Sequence, residues 1–374
     1  MHSASNSSKL RVLWLTNIAT PYRIPVWQWF SSQVHLTVGL LSNTEQNRWW
    51  NFTKEDIGID AQFLDVRAIR YHERSIYLPS RSLRKLLNRE WDVIILGGWE
   101  SPAYLYALMV AKLKGIRTVS HYGSTSKSHL HSKGIVDLVR SKFYRAIDAH
   151  ASYGTSATVS LVSMGVNPKR IFTGFNSVDH ALFNAEAKRL REKSNPDGGH
   201  NFLYVGQLLE RKNISNLVLA FDRMCTPEDS LRIVGSGPYE AELSKLIKEL
   251  DCSSQITITG PKLGDELFQE YAQANTLVLP STNEVWGLVV NEALASEIHV
   301  VVSRNCGVAD DVSKMAGVFV CDPTVEDLAT SMSQSKQHWS GSISGPEILK
   351  FAPNVYGKVF LDACVTSFAP GKID

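Results

Sequence analysis

Short apolar runs alternate with stretches of helical length along most of the chain, and this alternation constrains the fold more than any other feature. Parallel strands joined by crossover helices produce such a pattern. In the first half it predicts strands at 11–15, 34–41, 93–96, 118–121 and 150–153, and helices at 24–33, 102–113 and 157–164. The sequence therefore predicts an α/β fold with doubly wound, Rossmann-like sheets.

The alternation is interrupted once, where the charged stretch AEAKRLREKSNPDGGH ends in Asn, Pro, Asp and two Gly, a composition typical of linkers. It then restarts, with strands predicted at 202–206, 231–235, 255–259, 276–280 and 299–303, and helices at 214–223, 239–250, 263–273, 287–296, 325–339 and 352–368. We therefore predict an N-terminal Rossmann-like domain over 1–175, a linker over 176–200, a second Rossmann-like domain over 201–345, and a C-terminal helix within 346–374 that packs back toward the first domain.

Composition excludes several classes of protein. With 44% hydrophobic and 20% charged residues, the 374-residue chain has the makeup of a globular protein. Its longest apolar runs fall far short of the ~20 residues that span a bilayer. The five cysteines form no C-x-x-C pair, and the first ten residues, MHSASNSSKL, are polar. We therefore expect reduced thiols and a cytoplasmic protein.

The two halves of the chain carry opposite charge. Residues 1–175 hold 22 Lys and Arg against 11 Asp and Glu, whereas residues 176–374 hold 17 against 26. This division favours two domains with different partners, the first half meeting an anionic surface or substrate. The alternative that opposite charges help the halves to dock stays open.

The stretch 67–89 is strongly basic, with seven Lys and Arg and one Glu. Leu83, Leu86 and Leu87 share one face of a helix predicted at 80–88, which favours docking to an anionic membrane at its inner face. A solvated helix face is the alternative. Nucleic-acid binding is disfavoured because few aromatic residues interrupt the basic run.

The segment from Leu277 to Ala293 contains the residues that say most about binding and catalysis. A buried strand is predicted to end at Pro280, and a helix begins near Gly287 after a polar loop. The first amide N–H groups of such a helix are unpaired and attract phosphate. Glu284 and Glu292 lie on either side of this helix start, and carboxylates at that separation suit sugar hydroxyls.

The spacing of these residues resembles a known family. Glu284-x7-Glu292 with Trp286-Gly287 is similar to the E-x-F-G-x4-E signature of family 4 retaining glycosyltransferases of the GT-B fold. The resemblance covers nearly the whole chain, through the further segments Tyr204-Val205-Gly206 with Arg211-Lys212, Ile233 to Pro238, Thr259-Gly260-Pro261, Asn17 with Pro21-Tyr22-Arg23, and His121. It implies two Rossmann-like domains that face each other across a cleft.

The resemblance also implies roles for individual residues. Glu292 would bind the ribose of a nucleotide sugar, and Glu284 the hydroxyls of the transferred sugar. Lys212 would neutralise the diphosphate, and His121 would contact the donor sugar from across the cleft. The implied catalytic residues are His121, Lys212 and Glu284. The implied donor site comprises Gly206, Gln207, Arg211, Lys212, Gly235, Gly237, Gly260, Pro261, Lys262, Glu284, Trp286, Gly287, Leu288 and Glu292. The implied acceptor site comprises Asn17, Tyr22 and Arg23.

Three departures from the family pattern stand out. Gln207 stands where the family often has an Arg. Half of the usual cationic clamp is therefore missing, unless the neighbouring Arg211 serves instead. Ser296-Glu297 replaces a small glycine, and His299 replaces the following Pro. The glycine-rich turn after the first strand is here the sequence Ile18-Ala19-Thr20-Pro21. The last departure suggests a specialised acceptor side.

The function predicted from the sequence is transfer of a sugar from a UDP- or GDP-sugar to a hydroxyl of a lipid-linked or cell-surface saccharide. Retention of configuration is implied by the family resemblance alone. The chain lacks D-x-D, so neither a metal nor another cofactor is expected. Two alternatives stay open: a nucleotide-sugar epimerase of the same architecture, and a non-catalytic sugar-nucleotide-binding or membrane-scaffold protein, which Gln207 slightly favours.

Overall fold

The chain folds into two compact units, each with its own parallel sheet. The computed structural model describes residues 9–45, 52–71, 74–125, 134–192 and 198–368. The first unit comprises Met1–Tyr153, Ala157–Phe175 and Pro353–Asp374, and the second comprises Gly154–Ser156 and Asn176–Ala352.

The sheet of the first unit has seven parallel strands in the order β3-β2-β1-β6-β7-β8-β9. Its strands are β1 (Arg11–Thr16), β2 (His35–Leu40), β3 (Ala61–Phe63), β6 (Val93–Leu96), β7 (Arg117–Tyr122), β8 (Ala149–Ser152) and β9 (Ile171–Thr173). A separate antiparallel hairpin is formed by β4 (Ala68–Tyr71) and β5 (Arg74–Tyr77). The central strand β6 is fully buried, as expected where helices cover both faces of a parallel sheet.

Two layers of helices cover this sheet. The first contains α3 (Arg81–Leu87), α4 (Pro102–Lys114), α5 (Ile135–Ala146) and α6 (Thr155–Ser163), whose buried side chains share one apolar core. The second contains α1 (Ile24–Gln33) and α14 (Pro353–Thr366), which contribute to another core. A short helix, α2 (Lys54–Ile57), precedes β3. Helix α14 packs on α1 and β8, so the end of the described chain belongs to the first unit.

The sheet of the second unit has six parallel strands in the order β12-β11-β10-β13-β14-β15. Its strands are β10 (Asn201–Val205), β11 (Ser230–Val234), β12 (Ile256–Gly260), β13 (Thr276–Leu279), β14 (His299–Ser303) and β15 (Val318–Cys321). Its helices are α7 (His180–Arg191), α8 (Ile214–Met224), α9 (Glu240–Lys248), α10 (Asp265–Gln273), α11 (Leu288–Ala295), α12 (Ala309–Val312) and α13 (Val325–His338). This is the strand order of a dinucleotide-binding Rossmann sheet, so the predicted fold class of two Rossmann-like domains is confirmed.

The predicted linker over 176–200 is wrong for its central part, which forms helix α7 of the second unit. The Asp179 side chain caps the helix by accepting from the Leu182 amide at 3.1 Å. Only a narrow face of the helix is buried, at His180 and Ala187. Most of its side chains are therefore polar, and the sequence lacks the apolar stripe by which a helix is recognised. The helix packs on α10 and α11, and these tertiary contacts stabilise a segment that hydropathy assigns to solvent.

Glu297 holds this helix through its carboxylate. The carboxylate accepts from Lys188 Nζ at 2.9 Å and from Asn184 Nδ2 at 3.1 Å, and it pairs with Arg191 at 3.6 Å. Glu297 is also left-handed, with φ of 62°, at the site where the family resemblance leads one to expect glycine. The backbone strain at Glu297 therefore coexists with ion pairs made by its buried carboxylate.

We expect Glu297→Ala to lower the free energy of unfolding by about 2–3 kcal/mol, because it leaves a half-buried Arg191 without its carboxylate. Glu297→Gly should lose about 1 kcal/mol less, because glycine adopts positive φ without steric cost. Urea unfolding of the three proteins checks this. Equal stability of the two variants would contradict the strain argument.

The basic stretch 67–89 is a hairpin followed by a short helix, and residues 72 and 73 lie outside the described chain. Ser80 caps α3 by accepting from the Leu83 amide at 3.1 Å. The apolar face of this helix, formed by Leu83, Leu86 and Leu87, is buried in the core and is not free to enter a membrane. Membrane docking through this stretch stays a prediction, and only its exposed cations support it. None of the helices in the described ranges is long and apolar enough to cross a bilayer.

Candidate active site

The strand order of the second unit places its ligand crevice. The order reverses between β10 and β13, and open α/β sheets bind ligands outside the carboxyl ends of the strands at such a point. The loop after β10 carries Lys212, and the loop after β13 carries Glu284. The topology therefore brings together two residues that are 72 positions apart in sequence.

Helix α11 begins at this point with unpaired amides. Gly287 precedes it in a left-handed conformation, with φ of 103°, and no side chain caps the helix. Within the described residues, the amide N–H groups of Gly287, Leu288 and Val289 form no hydrogen bond. All three residues are half-buried rather than sealed in the core. Such a helix start can receive an anion.

Lys212 and Glu284 form an ion pair beside this helix start. The Lys212 ammonium donates to Glu284 Oε2, and the two side chains are only 13% and 17% exposed. Asn213 fixes the loop that carries Lys212, since it adopts φ of 59° and donates from Nδ2 to the carbonyls of Pro280 and Pro323. The Glu284 carboxylate is thus held in the loop that leads into Gly287 and α11.

Glu292 lies one turn into α11 and is held by a buried tyrosine. The Tyr271 hydroxyl, on α10, donates to Glu292 Oε2 at 2.6 Å. Burial raises the pKa of Glu292 to about 7, although this hydrogen bond opposes the shift. The sequence identified Glu292 but not Tyr271, whose role depends on packing between α10 and α11.

The pKa of Glu292 predicts a pH dependence of ligand binding. Hydroxyl donors favour an ionised carboxylate, so a bound sugar or ribose lowers this pKa and binding releases a proton. We expect affinity for a nucleotide sugar to be full above about pH 7 and to weaken up to about tenfold per pH unit below it. Isothermal titration across this range checks the expectation. Glu292→Gln should remove the pH dependence, and an unchanged profile in that variant would contradict the assignment.

Two of the predicted donor-site glycines are needed for the packing of the chain itself, because a side chain at either position would collide with the backbone. A Cβ at Gly235 would lie 1.8 Å from the Gly206 carbonyl oxygen, and one at Gly237 would lie 2.3 Å from the Leu208 carbonyl oxygen. A Cβ at Gly260 would meet nothing within 4 Å. The first two positions therefore bring backbone against backbone at the carboxyl end of the sheet.

The other predicted donor residues of the β12 loop and the β10 loop lie at the surface of the second unit. Pro261 is exposed, and Lys262 pairs with Glu266 at 3.4 Å. Arg211 is exposed, and its guanidinium donates to the Asn283 carbonyl at 3.5 Å. The Gln207 carbonyl accepts from the Tyr204 hydroxyl at 2.9 Å. Arg211 therefore adjoins the Glu284 loop and is the candidate for the second cation of the clamp, which the neutral Gln207 does not supply.

The Trp286 side chain is structural. It is 3% exposed, and its Nε1 donates to Asn291 Oδ1 at 3.0 Å. Asn291 in turn donates to the Asn176 carbonyl at 2.8 Å. The buried indole therefore holds the start of α11 in place through Asn291. Only the backbone of Trp286 could face a ligand.

In the first unit, Arg23 and His121 meet in an aromatic cluster. The Arg23 guanidinium lies 5.8, 5.7 and 5.3 Å from the ring centroids of Tyr22, Tyr153 and Tyr356. The His121 ring is 5.0 Å from that of Tyr153. Burial and the nearby Arg23 charge hold the pKa of His121 well below its ordinary value, so the imidazole is neutral. Its Nε2 atom is shielded from solvent and has no hydrogen-bond partner in the described ranges.

Asn17 belongs to a different cluster, centred on Glu45. Asn17 Nδ2 donates to Glu45 Oε1 at 2.8 Å. The Tyr77 hydroxyl donates to the same Glu45 oxygen at 3.2 Å, and the Tyr104 hydroxyl donates to Asn17 Oδ1 at 2.7 Å. Sequence reasoning missed Glu45, whose only signal is its position in the loop after β2. The predicted acceptor residues thus divide between this polar cluster, which holds Asn17, and the aromatic cluster, which holds Tyr22 and Arg23.

No group of three or more His, Cys, Asp or Glu side chains in the described part of the chain could hold a metal ion. The expectation that the reaction needs no metal stays a prediction.

Comparisons with known proteins agree with this architecture. Residues 186–338 match the family model of glycosyl transferases group 1. The chain is 27% identical over 302 residues to sulfoquinovosyl transferase SQD2 of Arabidopsis thaliana, covering 74% of this chain and 58% of the relative. It is 28% identical to a GDP-mannose-dependent alpha-mannosyltransferase of Mycobacterium tuberculosis, covering 62% of this chain and 60% of the relative. The alignments thus span under two thirds of either relative's own length.

A solved structure shares the fold over nearly the whole chain. Anabaena Alr3699/HepE in complex with UDP and glucose superposes with a TM-score of 0.71 at 14% identity, covering 96% of this chain and 100% of that one. Together with the strand order, this likeness defines the GT-B class of folds. The chain thus has the GT-B fold, and its second unit contains the segment similar to glycosyl transferases group 1, at residues 186–338.

Proposed function

We propose that the chain is a retaining, family 4-type hexosyltransferase that moves a sugar from a UDP- or GDP-sugar to an acceptor hydroxyl. One observation carries the proposal: the unpaired amides that start α11 adjoin the Lys212–Glu284 pair. An anion-binding helix start, a cation and a hydroxyl-binding carboxylate are the groups that a sugar diphosphate requires.

Each group has a defined task in this proposal. The amides of Gly287 and Leu288 receive the diphosphate, and Lys212 turns from Glu284 to the phosphate as negative charge develops on the leaving group. Glu284, released from the cation, accepts hydrogen bonds from hydroxyls of the transferred sugar. Glu292, oriented by Tyr271, accepts from the ribose. The developing charge is thus stabilised by the fixed amides of α11 together with a cation that changes partner.

The relatives support the nature of the donor. A relative is named for dependence on GDP-mannose, and a structural neighbour was solved with UDP and glucose. We propose that the acceptor, a lipid-linked or cell-surface saccharide, binds at the carboxyl edge of the first sheet. There Asn17 and Glu45 offer hydroxyl partners, and Arg23 offers a cation. Acceptor binding by Tyr22 and catalysis by His121 stay predictions, as does a cytoplasmic location.

Thermal unfolding of the full chain with a panel of UDP- and GDP-sugars tests the proposal. A donor at a hundred times its dissociation constant should add about 2.7 kcal/mol of stability. Released nucleoside diphosphate is then measured with and without saccharide acceptors. Release that depends on acceptor supports transfer, whereas an epimerised sugar without acceptor, or binding without turnover, would overturn it in favour of an epimerase or a scaffold.

A further inference from the structure

The exposed apolar side chains of the first unit are concentrated on one layer of helices. Nine of the sixteen large apolar side chains that are exposed in the described chain lie on α4, α5 and α6. On α4, Leu105, Met109 and Leu113 are 40%, 51% and 81% exposed, and their spacing of four residues aligns them along one face. This stripe points away from the core that the same helix buries.

Helix α5 exposes more apolar surface than either neighbour. Ile135 is 81% exposed, and Val136, Leu138 and Val139 are 45%, 54% and 40% exposed, so four of the first five residues present apolar groups to solvent. On α6, Val159 and Val162 add exposures of 58% and 43%. These helices follow the successive neighbouring strands β6, β7 and β8, and right-handed crossovers place them side by side. We call their outer face the α4–α6 surface.

Cations lie on two helices of this surface, α4 and α5, and on the preceding helix α3, whereas α6 carries none. Helices α3, α4 and α5 carry eight Lys and Arg and one acid, Asp137, which pairs with the buried Arg140. The other seven cations are exposed, among them Arg84, Lys85 and Lys142, and one of the seven, Lys112, pairs with Asp148 at 2.9 Å. The opposite helical layer differs, since α1 is uncharged and α14 carries one Lys and one Asp in an ion pair.

We propose that the α4–α6 surface docks on an anionic lipid membrane. Apolar side chains rimmed by the cations of α3, α4 and α5 match a bilayer whose headgroups are negative and whose acyl region is apolar. A second copy of the chain fits less well, because a two-fold contact would bring cationic rims together. The surface differs from the predicted stretch 67–89, which contributes charge through α3 but buries its own leucines. The proposal does not depend on the enzymatic activity.

Sedimentation of the full chain with vesicles tests the docking. The vesicles are pure phosphatidylcholine, or phosphatidylcholine with about one third phosphatidylglycerol. We expect binding only to the anionic vesicles, weakened by salt. The double variant Leu113→Asp/Ile135→Asp changes two side chains that are each 81% exposed, so the fold should be retained. Its vesicle affinity should fall at least about tenfold.

Controls separate this surface from general hydrophobicity and from charge alone. Leu182→Asp/Leu263→Asp makes the same chemical change at exposed sites of the second unit and should keep the vesicle affinity within about twofold. Arg84→Gln/Lys85→Gln should weaken binding and flatten its salt dependence. Thermal stabilisation by nucleotide sugars should be unchanged in all three, so a failure of docking is distinct from a failure of the proposed function.

Three results would overturn the proposal: no binding to anionic vesicles, equal loss of binding in the second-unit control, or a concentration-dependent dimer that Leu113→Asp/Ile135→Asp dissolves. The last would assign the surface to a second copy of the chain.

Discussion

Replacing Lys212 with alanine is expected to lower kcat for sugar transfer by about 10²–10³-fold with the fold intact. Two effects act together. The leaving diphosphate loses its cation, and Glu284, 17% exposed, keeps an uncompensated charge in the same site. That charge repels the donor, so KM should rise as well. Steady-state kinetics and circular dichroism on the purified variant measure both effects.

The double variant Lys212→Ala/Glu284→Ala separates the two effects. Removing the stranded carboxylate should restore part of the donor affinity lost in Lys212→Ala, whereas kcat should stay low. Lys358→Ala is the matched control, because Lys358 on α14 also pairs with a carboxylate, Asp362, but these two side chains are 64% and 45% exposed. Wild-type kcat in Lys212→Ala, or an equal loss in Lys358→Ala, would contradict the assignment.

Gly235→Ala is expected to destabilise the second unit by about 3 kcal/mol or more and to weaken donor binding. The new Cβ would lie 1.8 Å from the Gly206 carbonyl oxygen, and φ of 147° adds strain, so the backbone at the ends of β10 and β11 must move apart. Denaturant unfolding together with donor titration measures both effects.

Gly341→Ala separates strain from collision. Gly341 has φ of 116°, and its Cβ would meet no atom within 4 Å, so its cost should be only about 1 kcal/mol. Similar losses in the two variants would show that the approach of Gly206 and Gly235 is not a structural requirement.

Much of the fold follows from short-range sequence signals. The predicted helix over 24–33 and the strands over 93–96 and 299–303 agree with the structure to the residue. Apolar runs define the central strands because both of their faces are buried. Pro25 marks the start of α1, and Gly115, left-handed at φ of 68°, marks the end of α4.

The elements that were missed depend on tertiary contacts. Strands β3 and β9 have three residues each, too few for a period to be recognised. Helix α5 exposes its apolar residues, so its pattern does not match a buried stripe. Helix α7 reads as a linker because its cations are satisfied by Glu297, which lies 106 or more positions away in sequence.

The candidate site shows the same division. Glu284, Glu292 and the glycine that starts α11 follow from one motif, and the strand order then places Lys212 beside them. Tyr271 could not be predicted, because a buried hydroxyl is recognised only once its carboxylate partner is known. For Trp286 the motif was identified, but the buried orientation of the indole depends on Asn291 and the surrounding core.

A crystal structure of the full chain with UDP or GDP tests the central claim most directly. We expect phosphate oxygens to lie about 2.7–3.2 Å from the amide nitrogens of Gly287 and Leu288, with Lys212 Nζ turned from Glu284 to the diphosphate. A nucleotide bound elsewhere, with these amides still unbonded and the Lys212–Glu284 pair intact, would contradict it.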